Sequence, residues 1–303
     1  MALLVTGWVA LDDIETPFEK RKAVLGGSAT SAAVAAALFT EVRLFSAVGP
    51  DFPDEQREVL RKTGIDLAGL TTVEGKTSRW GGRYHYDMNI RDTVYTELGV
   101  SDGWRGELPT GWENSTTAFL AAGDPVVQRD LIGSLKRPLA TMVDTIRLYI
   151  DNARKELDAT FAAADFVCLN DGEAREIAGT PSVATAARRL LALGITGAAV
   201  KLGEYGAVFA SKDDYFAAAG YPLEVVVDPT GAGDAFAGAF MGALDAAGNL
   251  DGETLRRATV YGCTVASYAV EGFGPERLLA LTRDEVEARY REIRSLTIVG
   301  TGD

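Results

Sequence analysis

Residues 225–244 read Val225-Val226-Val227-Asp228-Pro229-Thr230-Gly231-Ala232-Gly233-Asp234-Ala235-Phe236-Ala237-Gly238-Ala239-Phe240-Met241-Gly242-Ala243-Leu244. A β-branched run enters a glycine-containing turn, and a long helix of small residues follows. Gly231 and Gly233 have no side chain, so the backbone there can approach a ligand closely. The helix starts at about Gly233, so its free N–H groups face the turn and, with the helix dipole, make an anion site. An acid at Asp234 would repel a phosphate it had to hold. It makes sense as a base that takes the proton of a hydroxyl attacking a phosphoryl group. The competing explanation is an acid favoured at a helix N-terminus by the dipole alone. The turn is not a Walker A loop, because no Gly-Lys-Ser/Thr follows. It is not a dinucleotide fingerprint, because Phe236 stands where the third glycine belongs.

Around this stretch lie 303 residues, 47% apolar and 24% charged, with a formal net charge of −13. That length suits one large α/β domain or two modest ones. The acidic balance makes nucleic acid and anionic membrane poor partners, since both repel the chain at long range. No apolar run is long enough to span a bilayer. The start, Met1 to Gly7, reads as a first strand and not as a signal peptide. Cys168 and Cys263 read as buried small hydrophobes in a reducing cytoplasm. A single histidine, His85, removes most His-based catalysis and His-rich metal sites from consideration.

Short β-like runs alternate with helical ones, which argues for a mostly parallel sheet with helices on both faces. Strands are expected at 2–6, 43–47, 117–122, 139–143, 165–169, 198–201 and 206–210. Helices are expected at 28–40, 53–63, 126–135, 150–160, 171–178, 182–193, 233–247, 252–270 and 283–294. Residues 72–98 break the alternation. They are rich in aromatic and β-branched residues, with a turn expected at Asp87 to Asn89, and read as an antiparallel extension: an ordinary edge hairpin or a lid.

Asp228-Pro229-Thr230-Gly231-Ala232-Gly233-Asp234-Ala235-Phe236 resembles the C-terminal signature of the ribokinase-like (PfkB-type) carbohydrate kinases. Gly26-Gly27-Ser28-Ala29-Thr30-Ser31 and the small residues after it resemble the N-terminal one. The resemblance runs from Val5 to about Leu279. It implies one domain over 1–303, a three-layer α/β/α sandwich with a mostly parallel central sheet. A β-lid would come mainly from about 72–98 plus part of about 8–24, and two subunits pair through such lids in some members. It also implies transfer of the γ-phosphoryl of ATP to a hydroxyl of a sugar or sugar-like molecule, or of a nucleoside on the same scaffold. A non-catalytic sugar- or nucleotide-binding descendant is a further alternative, against which the intact Gly-Ala-Gly-Asp set stands.

By this resemblance Asp234 is the base, and the amides of Gly231, Ala232 and Gly233 form the anion hole. The acid at Asp228 helps hold K⁺ in cation-dependent members, completed by the loop at 270–274; a turn-capping role is the other reading. Asn170 and Glu173 match an Asn-x-x-Glu element used around Mg²⁺ and the phosphates through water, though they equally suit a capping box. Lys201, Gly203 and Gly206 lie in a turn that resembles the nucleotide-contacting one. On the substrate side, Asp12 stands where members hold sugar hydroxyls, with Gly26 and Gly27 as the contacting pair. Ser31 and Asp124 are further candidates. Ala10, Ser28 and Ser31 replace the residues of ribose-specific members, so ribose itself is a poor expectation.

Overall fold

The computed structural model describes residues 1–298. In chain order it passes through β1 (Ala2–Thr6), β2 (Ala10–Glu15), β3 (Lys20–Gly26), α1 (Ser28–Ala37), β4 (Glu41–Val48), α2 (Asp54–Lys62), β5 (Leu70–Thr72), β6 (Ser78–Tyr84) and β7 (Arg91–Glu97). Then come β8 (Thr117–Leu120), α3 (Pro125–Ser134), β9 (Ala140–Val143), α4 (Arg147–Asn152), α5 (Arg154–Phe161), β10 (Phe166–Asn170), α6 (Asp171–Ala178) and α7 (Val183–Leu190). The rest is β11 (Gly197–Lys201), β12 (Gly206–Ser211), β13 (Tyr215–Ala219), α8 (Ala232–Ala247), α9 (Gly252–Ala269), α10 (Glu276–Leu279) and α11 (Arg283–Ser295).

Nine strands form the main sheet in the order β13-β12-β11-β10-β9-β8-β1-β4-β5. Strands β1, β4, β5 and β8 to β11 run parallel, and β12 and β13 turn back antiparallel at one edge. Both faces are covered, so the central strands are apolar throughout. On β10, Phe166 and Cys168 enter the core shared with α1, α8, α9 and α11. Val167 and Leu169 enter the core under α3, α5, α6 and α7. This is the three-layer α/β/α sandwich that the sequence implies.

One local reading is corrected, and two segments are settled by the structure. The expected helix 150–160 is divided at Ala153, whose φ of −139° and ψ of 38° are not helical. Val225 to Val227 form no strand; they cross the sheet's C-terminal edge, with the Val227 N–H donating to Val270 O. Strand β13, Tyr-Phe-Ala-Ala-Ala, went unread because alanine carries little strand signal.

A second, four-stranded sheet has the order β3-β2-β6-β7, with β2 and β6 parallel and the other pairs antiparallel. The chain leaves the main sheet for it after β1, returning at α1, and again after β5, returning at β8. Helices α1 and α8 meet through small residues. A Cβ added at Gly238 would lie 2.1 Å from the Ala32 carbonyl oxygen. That contact seats the N-terminus of α1 beside that of α8.

Candidate active site

The C-terminal ends of parallel strands are where α/β sheets bind ligands. Here β10 and β11 end at Asn170 and Lys201, and Asp144 directly follows β9, near the start of α8. Asp228 is fully buried and ties the glycine turn together: its Oδ1 accepts from the Thr230 N–H at 2.8 Å, its Oδ2 from Gly274 at 3.0 Å. Burial pushes its carboxyl up. Gly231 takes φ 77°, which permits the tight entry into α8. The Ala232 N–H closes a turn onto Pro229 O at 3.2 Å, and that of Ala235 reaches Gly231 O. Among the described residues, the amides of Gly231, Gly233 and Asp234 have no such backbone partner. The free donors of the turn are therefore shifted by one residue from the expected set, with Asp234 in place of Ala232.

Beneath this turn Lys201 Nζ donates to Asp144 Oδ2 at 2.7 Å. A Cβ at Gly233 would lie 3.2 Å from the same Nζ, so the ammonium lies directly against the turn. Burial opposes the charge on Lys201, but Asp144 together with Glu173, Asp234 and the Cys168 thiol outweighs it and holds the ammonium above its usual range. Burial pushes the Asp144 carboxyl up, and Lys201 and the Thr145 amide pull it back. Asp234 is half-buried at the start of α8. Burial, with Asp144 next in effect, raises its pKa to about 7, against opposing pulls from Lys201 and Arg91. A carboxyl poised there is well matched to proton abstraction near neutral pH.

Asn170 and Glu173 do form a capping box: Asn170 Oδ1 accepts from the Glu173 N–H at 2.8 Å, and Glu173 Oε2 from Asn170 at 3.0 Å. The box fixes both side chains at the sheet edge, and burial and Asp144 push the Glu173 carboxyl up. Gly203 and Gly206 flank the one-turn connection between β11 and β12.

Asp12 is buried, and its Oδ2 accepts from the Gly27 N–H at 3.3 Å. Its Oδ1 is buried without a partner, which is the arrangement of a carboxylate waiting for a donor. Burial raises its pKa to about 7, and Asp228 and Asp234 act in the same direction. Gly26 packs against the Asp12 carboxyl. Ser31 Oγ stands 2.4 Å from where a Gly231 Cβ would be, so the glycine pair, Ser31 and the anion turn adjoin. Asp124 lies apart from them. Its Oδ1 caps α3 through the Val126 and Val127 N–H groups, and it lines a cleft against Trp8.

The second sheet reaches over both sides. Tyr84 Oη and Thr230 Oγ1 lie 3.0 Å apart. At the hairpin tip, Asn89 Nδ2 donates to Glu204 Oε1 at 3.3 Å, against the β11–β12 turn. Arg91 stacks on Trp80 at 5.6 Å, whereas Arg83 is spent on Glu15 at 3.0 Å. Tyr86 points outward against Phe18.

Asp144, Tyr84 as a partner of Thr230, and Asn89 were not singled out from sequence for these contacts. Asp144 had a readable signal: an acid directly after a buried strand, at the edge that also carries Asn170 and Lys201.

Residues 130–280 match the sequence profile of the pfkB family carbohydrate kinases. A cytidine kinase from Thermococcus kodakarensis is 32% identical over 246 residues, which are 79% of this chain and 87% of that protein. A nucleoside kinase from Methanothermobacter thermautotrophicus is 28% identical over 306 residues, 94% of each chain. A fructokinase from Vibrio cholerae, solved with fructose, ADP and a potassium ion, superposes with a TM-score of 0.80 at 21% identity, covering 95% of this chain and 97% of that one. The chain belongs to the pfkB, ribokinase-like family of carbohydrate kinases. It is an ATP-dependent phosphotransferase that acts on an alcohol hydroxyl of a small molecule. No helix among the described residues is long and apolar enough to cross a membrane.

Proposed function

We propose that the acceptor is a nucleoside, and that Asp234 removes the proton from its hydroxyl. The observation that carries this choice is the pair of curated relatives, named cytidine kinase and nucleoside kinase, that align along most of their length. Ala10, Ser28 and Ser31 in place of the ribose-holding residues favour it over a free pentose. Fructose and other sugars are the second reading, favoured by the fructokinase likeness in fold.

In this reading Asp12 accepts hydrogen bonds from two neighbouring hydroxyls of the acceptor, with Gly26, Gly27 and Ser31 shaping the floor. ATP supplies the phosphoryl group. The free amides at the start of α8 and Lys201 Nζ face the charge that develops on it, held in place before the reaction. The Tyr84 and Asn89 contacts keep water out of the cleft. Asn170, Glu173, Gly203 and Gly206 contact the nucleotide. The site fits a divalent cation shared with phosphate and water: the buried Asp144 and the half-buried Glu173 and Asp234 face the half-buried Lys201 ammonium. Among the described residues no cluster of three or more metal-ligating side chains offers a protein cage. We assign Mg²⁺ to this place. Asp228, fully buried with no basic side chain against it among the described residues, fits a neighbouring K⁺; rates in K⁺ and Na⁺ salts compare the two.

Phe18, Tyr86, Ile90 and Val94 are exposed apolar residues on the second sheet and its turns, and suit a homodimer formed through that sheet. Sedimentation of the purified chain decides this. A cytoplasmic location agrees with two free, buried cysteines. The substrate assignment is tested by ATP consumption across nucleosides, pentoses, hexoses and polyols. Turnover with nucleosides at the highest kcat/KM supports it; turnover with sugars alone overturns it.

A further inference from the structure

A cleft of about 50 Å³, open to solvent at its mouth, lies against Gly7 and Trp8. Trp8, Phe45 and Trp104 wall it, and Asp124 and Gln128 line it from α3. Phe45 and Trp104 pack on each other with ring centres 4.9 Å apart and tilted by 45°. Gln128 is 3% exposed, and its Nε2 donates to three carbonyl oxygens: Leu120 at 3.2 Å, Ala121 at 2.9 Å and Asp144 at 3.0 Å. Those bonds fix which end of the amide is nitrogen. Its Oε1 is then a buried acceptor with no partner. Asp124 adds a second acceptor, since its Oδ1 takes both helix-capping bonds and leaves Oδ2 over.

The cleft continues a row of contacts from the reacting centre. Gly231 adjoins Ser31 on α1. Gly27, at the start of α1, bonds Asp12. Gly27 and Ser28 hold Trp8: a Cβ on Gly27 would meet Trp8 O at 2.4 Å, and the Trp8 N–H donates to Ser28 Oγ at 3.2 Å. Ser28 Oγ in turn donates to Ala122 O at 3.3 Å, next to the cleft wall at Ala121 and Gly123. A hydroxyl at Asp234 and a diol at Asp12 therefore leave the rest of the acceptor pointing toward Trp8.

We propose that this cleft is the nucleobase subsite, and that Gln128 Oε1 selects bases bearing an exocyclic amino group. The proposal rests on the nucleoside reading above and narrows it. An amino group donates to Oε1 while the ring lies against the indoles. A carbonyl at the same place brings two acceptors together in a buried space and leaves both without a donor, which is the costly case. Aromatic walls with few fixed polar groups are the usual composition of such a pocket.

The test is kcat/KM for cytidine against uridine, and for adenosine against inosine, in the wild type and in Gln128→Met. The wild type is expected to prefer the amino base by at least about tenfold in one pair, the scale of a buried acceptor left unpaired. Gln128→Met is expected to bring that ratio to within about threefold of unity. Loss of the three carbonyl contacts lowers folded enzyme equally for both members of a pair, so the ratio is insensitive to it. Equal rates with amino and keto bases in the wild type overturn the base preference while leaving the nucleoside reading intact. A preference that survives Gln128→Met removes Gln128 from the role. Turnover of sugars and of no nucleoside overturns the subsite and the nucleoside reading together.

Discussion

Lys201 Nζ stands 2.7 Å from Asp144 Oδ2, with side-chain exposures of only 15% and 5%. The pair lies directly under Gly233, so the ammonium is held at the anion turn by the Asp144 carboxylate. Breaking one member of a buried pair leaves an uncompensated charge, typically at a cost of about 3–5 kcal/mol. Asp144→Asn is therefore expected to lose stability on that scale in urea unfolding and to raise the KM for ATP. The double variant Asp144→Asn with Lys201→Met regains most of the stability but not the turnover. Recovery of both in the double variant would show the pair to be only structural.

Gly238 carries the contact between α8 and α1. Its Cβ would fall 2.1 Å from Ala32 O, a backbone atom that moves only with the helix. Gly238→Ala is expected to cost about 1–3 kcal/mol, as overpacking does. It should also raise the acceptor KM, because α1 begins at the Gly27 and Ser31 floor. Gly252→Ala, where nothing lies within 4 Å of the added atom, is the control and leaves the unfolding midpoint nearly unchanged.

Asp12 and Asp234 each have a pKa raised by burial to about 7. A raised carboxyl pKa means that the folded state binds the proton more tightly than the unfolded chain does. Its stabilising share is complete below about pH 4 and is lost as pH rises through about 7. The unliganded protein should thus lose stability between pH 5 and pH 7.5 in thermal melts, and Asp12→Asn should flatten that slope. Activity runs the other way: kcat/KM rises with pH to a plateau above about 7, as Asp234 ionises.

The hairpin tip and the base of the second sheet make separable contacts. Tyr84→Phe removes the hydroxyl 3.0 Å from Thr230 and is expected to lower kcat at least threefold, with about 1 kcal/mol of stability lost. Asn89→Ala removes an exposed contact to Glu204; it should raise the KM for ATP and leave stability within about 0.5 kcal/mol. Unchanged kinetics in both variants would mean that the sheet closes over nothing that matters to turnover.

Much of this was legible in the chain. Strands β1, β4 and β8 to β12 announced themselves as apolar runs ended by Gly, Asp or Asn, and α8 by its glycine turn and small-residue face. Asp234, Asp12, Gly27 and Ser31 stood in recognisable signatures, and the structure brings Ser31 against Gly231 across about 200 residues of sequence. What stayed hidden depends on tertiary packing. Asp144 is one acid among 43 Asp and Glu residues until β9 and β11 are placed on either side of β10. Gln128 is an ordinary helical glutamine until three carbonyls fix its amide. The free amide of Asp234, in place of Ala232, depends on a 3.2 Å turn bond that no pattern encodes.

The central claim is that Asp234 is the base of an alcohol kinase, and Asp234→Asn tests it most directly. The change keeps the shape and removes the proton acceptor. Steady-state kinetics with the best nucleoside should show kcat reduced by at least about 10²-fold, with nucleoside and ATP binding retained in calorimetry. A variant that binds both ligands and turns over at the wild-type rate would contradict the account.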